Sequence, residues 1–155
     1  MFASSISRVR TIAAVAITAM IALSMSVFVA APARAAGYPL TNVATLQCMD
    51  ASISAGVRLN GCNGSNYQEW NVTGSGGIYT FHHDETGLCL DGSISQGVRL
   101  NTCNGSEYQR WELALGSTGY RVLNVGTRTC LDGSISQGVR LNTCNNTDYQ
   151  RWYQS

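Results

Sequence analysis

Hydrophobic and polar positions divide the chain into two unlike stretches. From Thr11 to Ala31 nearly every residue is apolar. Beyond Ala36 the apolar residues come in short runs, and none forms a helical stripe of useful length. Tyr79-Thr80-Phe81-His82 alternates larger apolar residues with polar ones, and Val98-Arg99-Leu100-Asn101 places Val98 and Leu100 on one face of a strand and Arg99 and Asn101 on the other. Gly77, Gly87, Gly92, Gly97, Gly105 and Gly116 punctuate these runs. The pattern predicts short β-strands, three or four in each successive unit of the chain.

The units are repeats. Cys48, Cys89 and Cys130 are 41 residues apart, and so are Trp70, Trp111 and Trp152. The 23-residue blocks they bound agree at 20 positions between the second and third copies, and at 17 between the first and second. The flanks keep step as well: Tyr38, Tyr79 and Tyr120, then Leu40, Phe81 and Val122, then Asn42, His83 and Asn124. Repeats over approximately 36–76, 77–117 and 118–155 fill the chain with no linker between them. One unit holds too few apolar residues for a core of its own, so three must share one. Three are too few for a propeller, and an open solenoid would need atypical end repeats. Closure around a three-fold axis leaves no open sheet edge. The expected fold is all-β, a β-trefoil of three ~41-residue repeats with pseudo-three-fold symmetry.

The leading segment reads as an address. Basic Met1–Arg10, the apolar run and Ala33-Arg34-Ala35 follow the order of a secretory signal with its cleavage site. Residues 1–35 are therefore expected to be a signal peptide and residues 36–155 the exported domain. An uncleaved anchor is the competing reading, since the run is long enough to span a bilayer; the lack of a basic stop-transfer cluster favours cleavage. The expected localisation is secreted and extracellular, with no membrane association after cleavage. Charge then narrows the partners. All ten basic residues are Arg, and from residue 36 onward seven Arg face nine Asp and Glu, a net charge of −2. That balance carries no electrostatic footprint for nucleic acid.

Six cysteines in an exported chain imply a disulfide framework. Each unit has two, fourteen apart, and pairing within units (Cys48–Cys62, Cys89–Cys103, Cys130–Cys144) treats all three alike. Pairing between units and metal binding are the alternatives. The chain lacks a C-x-x-C pair and has histidines, His82 and His83, in one repeat only, so no metal or cofactor is expected.

The repeated polar residues are Asp50/Asp91/Asp132, Arg58/Arg99/Arg140, Asn60/Asn101/Asn142, Asn63/Asn104/Asn145, Tyr67/Tyr108/Tyr149 and Gln68/Gln109/Gln150. A carboxylate accepts several hydrogen bonds, an amide both donates and accepts, and tyrosine offers a flat apolar face with a hydroxyl. Together they suit a sugar, whose hydroxyls need such partners and whose C–H face lies on an aromatic plane. Each also has a structural reading. Asp91 can cap a turn, Asn104-Gly105 can form one, and Tyr108 can pack in the core or wall a pocket. Gln68, Gln109 and Gln150 read as structural, satisfying buried backbone beside Trp70, Trp111 and Trp152.

C-x-D at the start of a unit, a second Cys fourteen on and Q-x-W at its end resemble the ricin-type β-trefoil lectins from Tyr38 to Trp152. The resemblance implies one shallow sugar pocket per unit, anchored by Asp50, Asp91 and Asp132, and unit-internal disulfides. Galactose-binding members usually carry a stacking Trp on the strand before the second Cys and end in N-Q-x-W. This chain has Asn101 on that strand and Tyr108-Gln109-Arg110-Trp111 at the end. The unit is closer to mannose-binding actinomycete members, whose pattern implies pockets of Asp50, Asn63 and Tyr67; Asp91, Asn104 and Tyr108; and Asp132, Asn145 and Tyr149. Arg58, Asn60, Arg99, Asn101, Arg140 and Asn142 are further candidates. The arginines either pair with the neighbouring Asp or present a hydrogen-bonding fork to sugar hydroxyls or a sugar carboxylate.

The expectation is a secreted, non-catalytic carbohydrate-binding protein with up to three equivalent pockets. It would bind glycans or polysaccharide multivalently, with mannose-type glycans favoured and cell-surface glycoconjugates among the candidate partners. Binding of galactosides, xylan or acidic sugars, or service as a trefoil protease inhibitor, are the alternatives. Glycosidase chemistry needs two carboxyls roughly 5–9.5 Å apart. Each unit repeats only one.

Overall fold

The computed structural model describes residues 37–155; the expected signal segment lies outside the described residues. Each repeat contributes four strands, as its alternating runs require. The first holds β1 (Tyr38–Asn42), β2 (Cys48–Ser52), β3 (Gly56–Asn60) and β4 (Glu69–Ser75). The second holds β5 (Ile78–His83), β6 (Cys89–Ser93), β7 (Gly97–Asn101) and β8 (Trp111–Leu115). The third holds β9 (Tyr120–Asn124), β10 (Cys130–Ser134), β11 (Gly138–Asn142) and β12 (Arg151–Gln154). A 3₁₀ turn precedes the last strand of each: Asn66–Gln68, Glu107–Gln109 and Asp148–Gln150.

Six strands close a barrel. β1 pairs with β4, β4 with β5, β5 with β8, β8 with β9, β9 with β12, and β12 returns to β1, all antiparallel. The other six form the hairpins β2–β3, β6–β7 and β10–β11, whose second strands approach one another around the axis. This is a β-trefoil. It solves the problem of the small units: Leu40, Phe81 and Val122 join Met49, Leu90 and Leu131 and the three indoles in one core. Trp70, Trp111 and Trp152 each donate their ring N–H to a buried carbonyl, of Met49, Leu90 and Leu131, at 2.9, 3.1 and 3.0 Å. A buried indole keeps its hydrogen bond that way. A cavity of about 260 Å³ enters the barrel from solvent, lined by Leu40, Phe81 and Val122 and by the more exposed Tyr79, Tyr120 and Gln154 among others.

All three disulfides fall within units, Cys48–Cys62, Cys89–Cys103 and Cys130–Cys144. Each ties the start of a hairpin to the loop beyond it, and closing a loop of ~15 residues contributes ~3 kcal/mol in the chain-entropy view. His82 Nδ1 lies 3.4 and 3.5 Å from the sulfurs of Cys89 and Cys103. Those sulfurs are bonded to each other, so they offer no thiolate to a metal.

Candidate functional site

Hairpin register sets an aspartate against an arginine three times over: Asp50 opposite Arg58, Asp91 opposite Arg99, Asp132 opposite Arg140. The three carboxylates are nonetheless buried, at 2% exposure. Their Oδ2 atoms accept from the amides of Gln68, Gln109 and Gln150 at 3.3, 3.3 and 3.2 Å. They also accept from Asn60, Asn101 and Asn142 at 3.4, 3.4 and 3.5 Å. Their Oδ1 atoms face the guanidinium groups. Arg140 donates through Nε to Asp132 at 3.1 Å with good alignment. Arg58 and Arg99 approach through Nη2, off the hydrogen-bonding direction, so Oδ1 of Asp50 and Asp91 is held by charge alone.

Asp50, Asp91 and Asp132, expected to anchor the pockets, thus have their side chains turned to partners within their own units. A carboxylate taken out of water needs compensation by charge and hydrogen bonds. The Gln, Asn and Arg at the repeated positions supply it, and in doing so cover the acid. The exposed member of each pair is the arginine, at 34–38% of its side chain. Gln68, Gln109 and Gln150 are themselves buried. Each also donates to a loop carbonyl, of Gly61, Thr102 or Thr143, and accepts from the backbone N–H of Asn63, Asn104 or Asn145.

Asn63, Asn104 and Asn145 are exposed, with Oδ1 engaged by the backbone N–H of Ser65, Ser106 and Thr147 at 3.0, 2.9 and 3.1 Å. That is the turn role, and it leaves their amide hydrogens for a ligand. Tyr67, Tyr108 and Tyr149 stand at 44%, 47% and 47% exposure. They belong to the surface and not to the core. Each is set by the following repeat: the carbonyl of Tyr67 accepts from His83 Nε2, that of Tyr108 from Asn124 Nδ2, and that of Tyr149 from Asn42 Nδ2. A carbonyl only accepts, so His83 carries a proton on Nε2 while its Nδ1 meets the Thr86 hydroxyl at 2.9 Å.

Beside Tyr67 opens a cleft of about 470 Å³, lined by Ser52, Ile53, Ser54 and Tyr67 of the first unit and by Glu85 and Thr86 of the second. Two features of it escape a unit-by-unit reading of the sequence. Ile53, with Ile94 and Ile135 at the same hairpin position, is 75–80% exposed. The far wall comes from the next repeat, and its charge is not repeated. Where the first cleft has Glu85, the second has Gly126, against whose Cα the Tyr108 ring packs so closely that a Cβ would lie 2.8 Å from it. The corresponding residue after the third unit is Ala44, exposed in the turn between β1 and β2. The repeats are thus alike in the hydrogen bonds of their Asp, Asn and Gln and unlike at the position of Glu85. The sequence signal was there: Glu85 has no acidic counterpart in the other units.

What the cleft at Tyr67 offers chemically is a flat phenol ring, serine and threonine hydroxyls and the Glu85 carboxylate, open to water. No curated protein sequence matches the chain. Its fold is similar to that of ThreeFoil, a designed three-fold symmetric protein (22% identity, TM-score 0.68, 76% of this chain and 96% of that one). It is also similar to a Polyporus squamosus lectin bound to a human-type influenza-binding epitope (16%, 0.64, 78% and 49%). A third likeness is to an endo-β-galactosidase of Clostridium perfringens (15%, 0.69, 77% and 32%), of which this chain spans only about a third. Residues 36–152 match the ricin-type beta-trefoil lectin domain, and the chain belongs to that family.

Proposed function

We propose that the chain is a secreted, non-catalytic saccharide binder that engages glycans through three shallow clefts at once, with mannose-type glycans the favoured class. The observation that carries this reading is the threefold repeat of a half-exposed tyrosine, an exposed asparagine and a partly exposed arginine, each unit holding them on the same part-buried hydrogen bonds. Tyrosine gives the C–H face of a hexose a platform, and the free donors suit hydroxyl oxygens. The one repeated carboxylate of each unit is spent on internal partners, which supports binding over hydrolysis. The lectin complex with a glycan epitope supports the carbohydrate class, while mannose rests on the sequence likeness and on the absence of an indole at Asn60, Asn101 and Asn142.

A shallow hydroxyl-binding site reaches about millimolar affinity, ~4 kcal/mol. Three on one rigid body raise avidity by ~10²–10⁴ where glycan spacing allows. Glycan-array binding of the purified, oxidised protein tests the proposal. Retention of high-mannose glycans is expected, with loss when Tyr67, Tyr108 and Tyr149 are all replaced by Ala. Failure to bind any carbohydrate overturns it.

A further inference from the structure

The three disulfides are built alike and have unlike neighbours. In each repeat the inner cysteine, Cys48, Cys89 or Cys130, is fully buried at the start of a hairpin. It pairs in register with one residue of the preceding barrel strand: Thr41 in the first repeat, His82 in the second, Leu123 in the third. His82 Nδ1 lies 3.4 Å from Cys89 Sγ and 3.5 Å from Cys103 Sγ. A sulfur in a disulfide carries no hydrogen, so the imidazole is the donor in both contacts and Nδ1 holds the proton. Thr41 Oγ1 is 3.5 and 3.8 Å from Cys48 and Cys62, but its single proton is contested by Ser155 Oγ at 2.9 Å. The side chain of Leu123 has nothing to donate.

The outer cysteines differ as well. Cys62 and Cys103 are exposed, while Cys144 is only partly so. Thiol–disulfide exchange needs one sulfur that an incoming thiolate can reach and a second that leaves with the electron pair. Access directs attack to the outer cysteine, so the inner one departs into the protein, where an unpartnered thiolate is costly. In the second repeat alone an imidazole N–H already points at that sulfur. A histidine beside a cysteine stabilises the thiolate, and a stabilised thiolate leaves faster.

We propose that Cys89–Cys103 is an exchange site for small thiols, the bridge that opens selectively while the other two hold. An incoming thiolate attacks Cys103 Sγ. The new sulfur–sulfur bond forms as the Cys89–Cys103 bond breaks, and the electron pair passes to Cys89 Sγ, where the N–H of His82 meets it. The product is a mixed disulfide on Cys103 and a thiolate on Cys89; attack by Cys89 in the reverse sense restores the bridge and releases the thiol. Asn104 follows Cys103 directly, so opening loosens that loop of the second unit and leaves Cys48–Cys62 and Cys130–Cys144 closed. The inference does not depend on saccharide binding.

The test exposes the folded, oxidised protein to 2-mercaptoethanol without denaturant, traps free thiols with iodoacetamide at intervals, and assigns both products by peptide mapping. Alkylation should appear first at Cys89 and the mercaptoethanol adduct at Cys103, about tenfold faster than at either other bridge, the gain expected of one hydrogen bond to a charged group. His82→Thr, which installs the residue that the first repeat carries at the same register, should slow this bridge to the rate of Cys48–Cys62 and leave the other two rates unchanged. His82→Leu should slow it to the rate of Cys130–Cys144. A variant that merely loosens the fold would open faster, so a slowed bridge is not a folding defect. Equal rates at the three bridges, first opening at either of the others, or unslowed exchange in His82→Thr overturns the inference.

Discussion

The hydrogen-bonded polar set of each unit, its floor, and the residue that the next repeat holds at the position of Glu85, its rim, have diverged to different degrees. Each floor is Asp, Arg, Asn and Gln, with amide hydrogen-bond lengths that agree to within about 0.1 Å across the repeats. Each rim is lent by the next repeat, and there Glu85 carries a charge, Gly126 a ring packed on its Cα, and Ala44 neither. The difference tracks burial. A floor residue compensates a charge removed from water, so replacing one strands the others. A rim residue faces solvent and can change at little cost to folding.

That contrast can be broken by mutation. Asp91→Ala removes the shared acceptor of Gln109, Asn101 and Arg99. It should lower unfolding free energy by ~2–4 kcal/mol, read by denaturant titration. Loss of the Cys89–Cys103 bridge by paired Ser replacement should cost a similar ~3 kcal/mol and leave the other two disulfides intact in peptide mapping. Gly126→Ala is an intermediate case, because the new methyl would meet Tyr108 Cδ1 at 2.8 Å. The ring must move, so saccharide response at Tyr108 should fall while stability drops by ~1 kcal/mol or less; an unshifted Tyr108 resonance would show that the rim does not set the ring. Smallest of all, Glu85→Ala, which gives the first rim the residue of the third, should alter stability by under ~0.5 kcal/mol and change only which sugars reach Tyr67.

The fold was readable because the period did the work that a single unit could not. A spacing of 41 residues between like Cys and like Trp left few ways to share a core, and the strands then fell where the alternation put them. The pairing of Asp91 with Arg99 was open as one of two readings, since two residues on one face of a hairpin are neighbours whether or not they bond. What no unit-by-unit reading shows is that the acid would be covered. That outcome depends on Gln109, eighteen residues away, folding back onto Oδ2. The rims were hidden for a different reason: Tyr67 and Glu85 belong to different repeats, and only closure of the barrel brings them to one cleft.

Closure also makes the first and last strands ordinary neighbours. β1 pairs with β12, the Ser155 backbone N–H reaches the Pro39 carbonyl at 3.3 Å, and the hydroxyls of Thr41 and Ser155 are 2.9 Å apart. A short linker from Ser155 to Gly37 and a new opening in the tight turn at Gly76-Gly77 would give a circular permutant with every strand neighbour kept. The order in which the ribosome delivers the three lobes would then be a matter of indifference to the finished molecule.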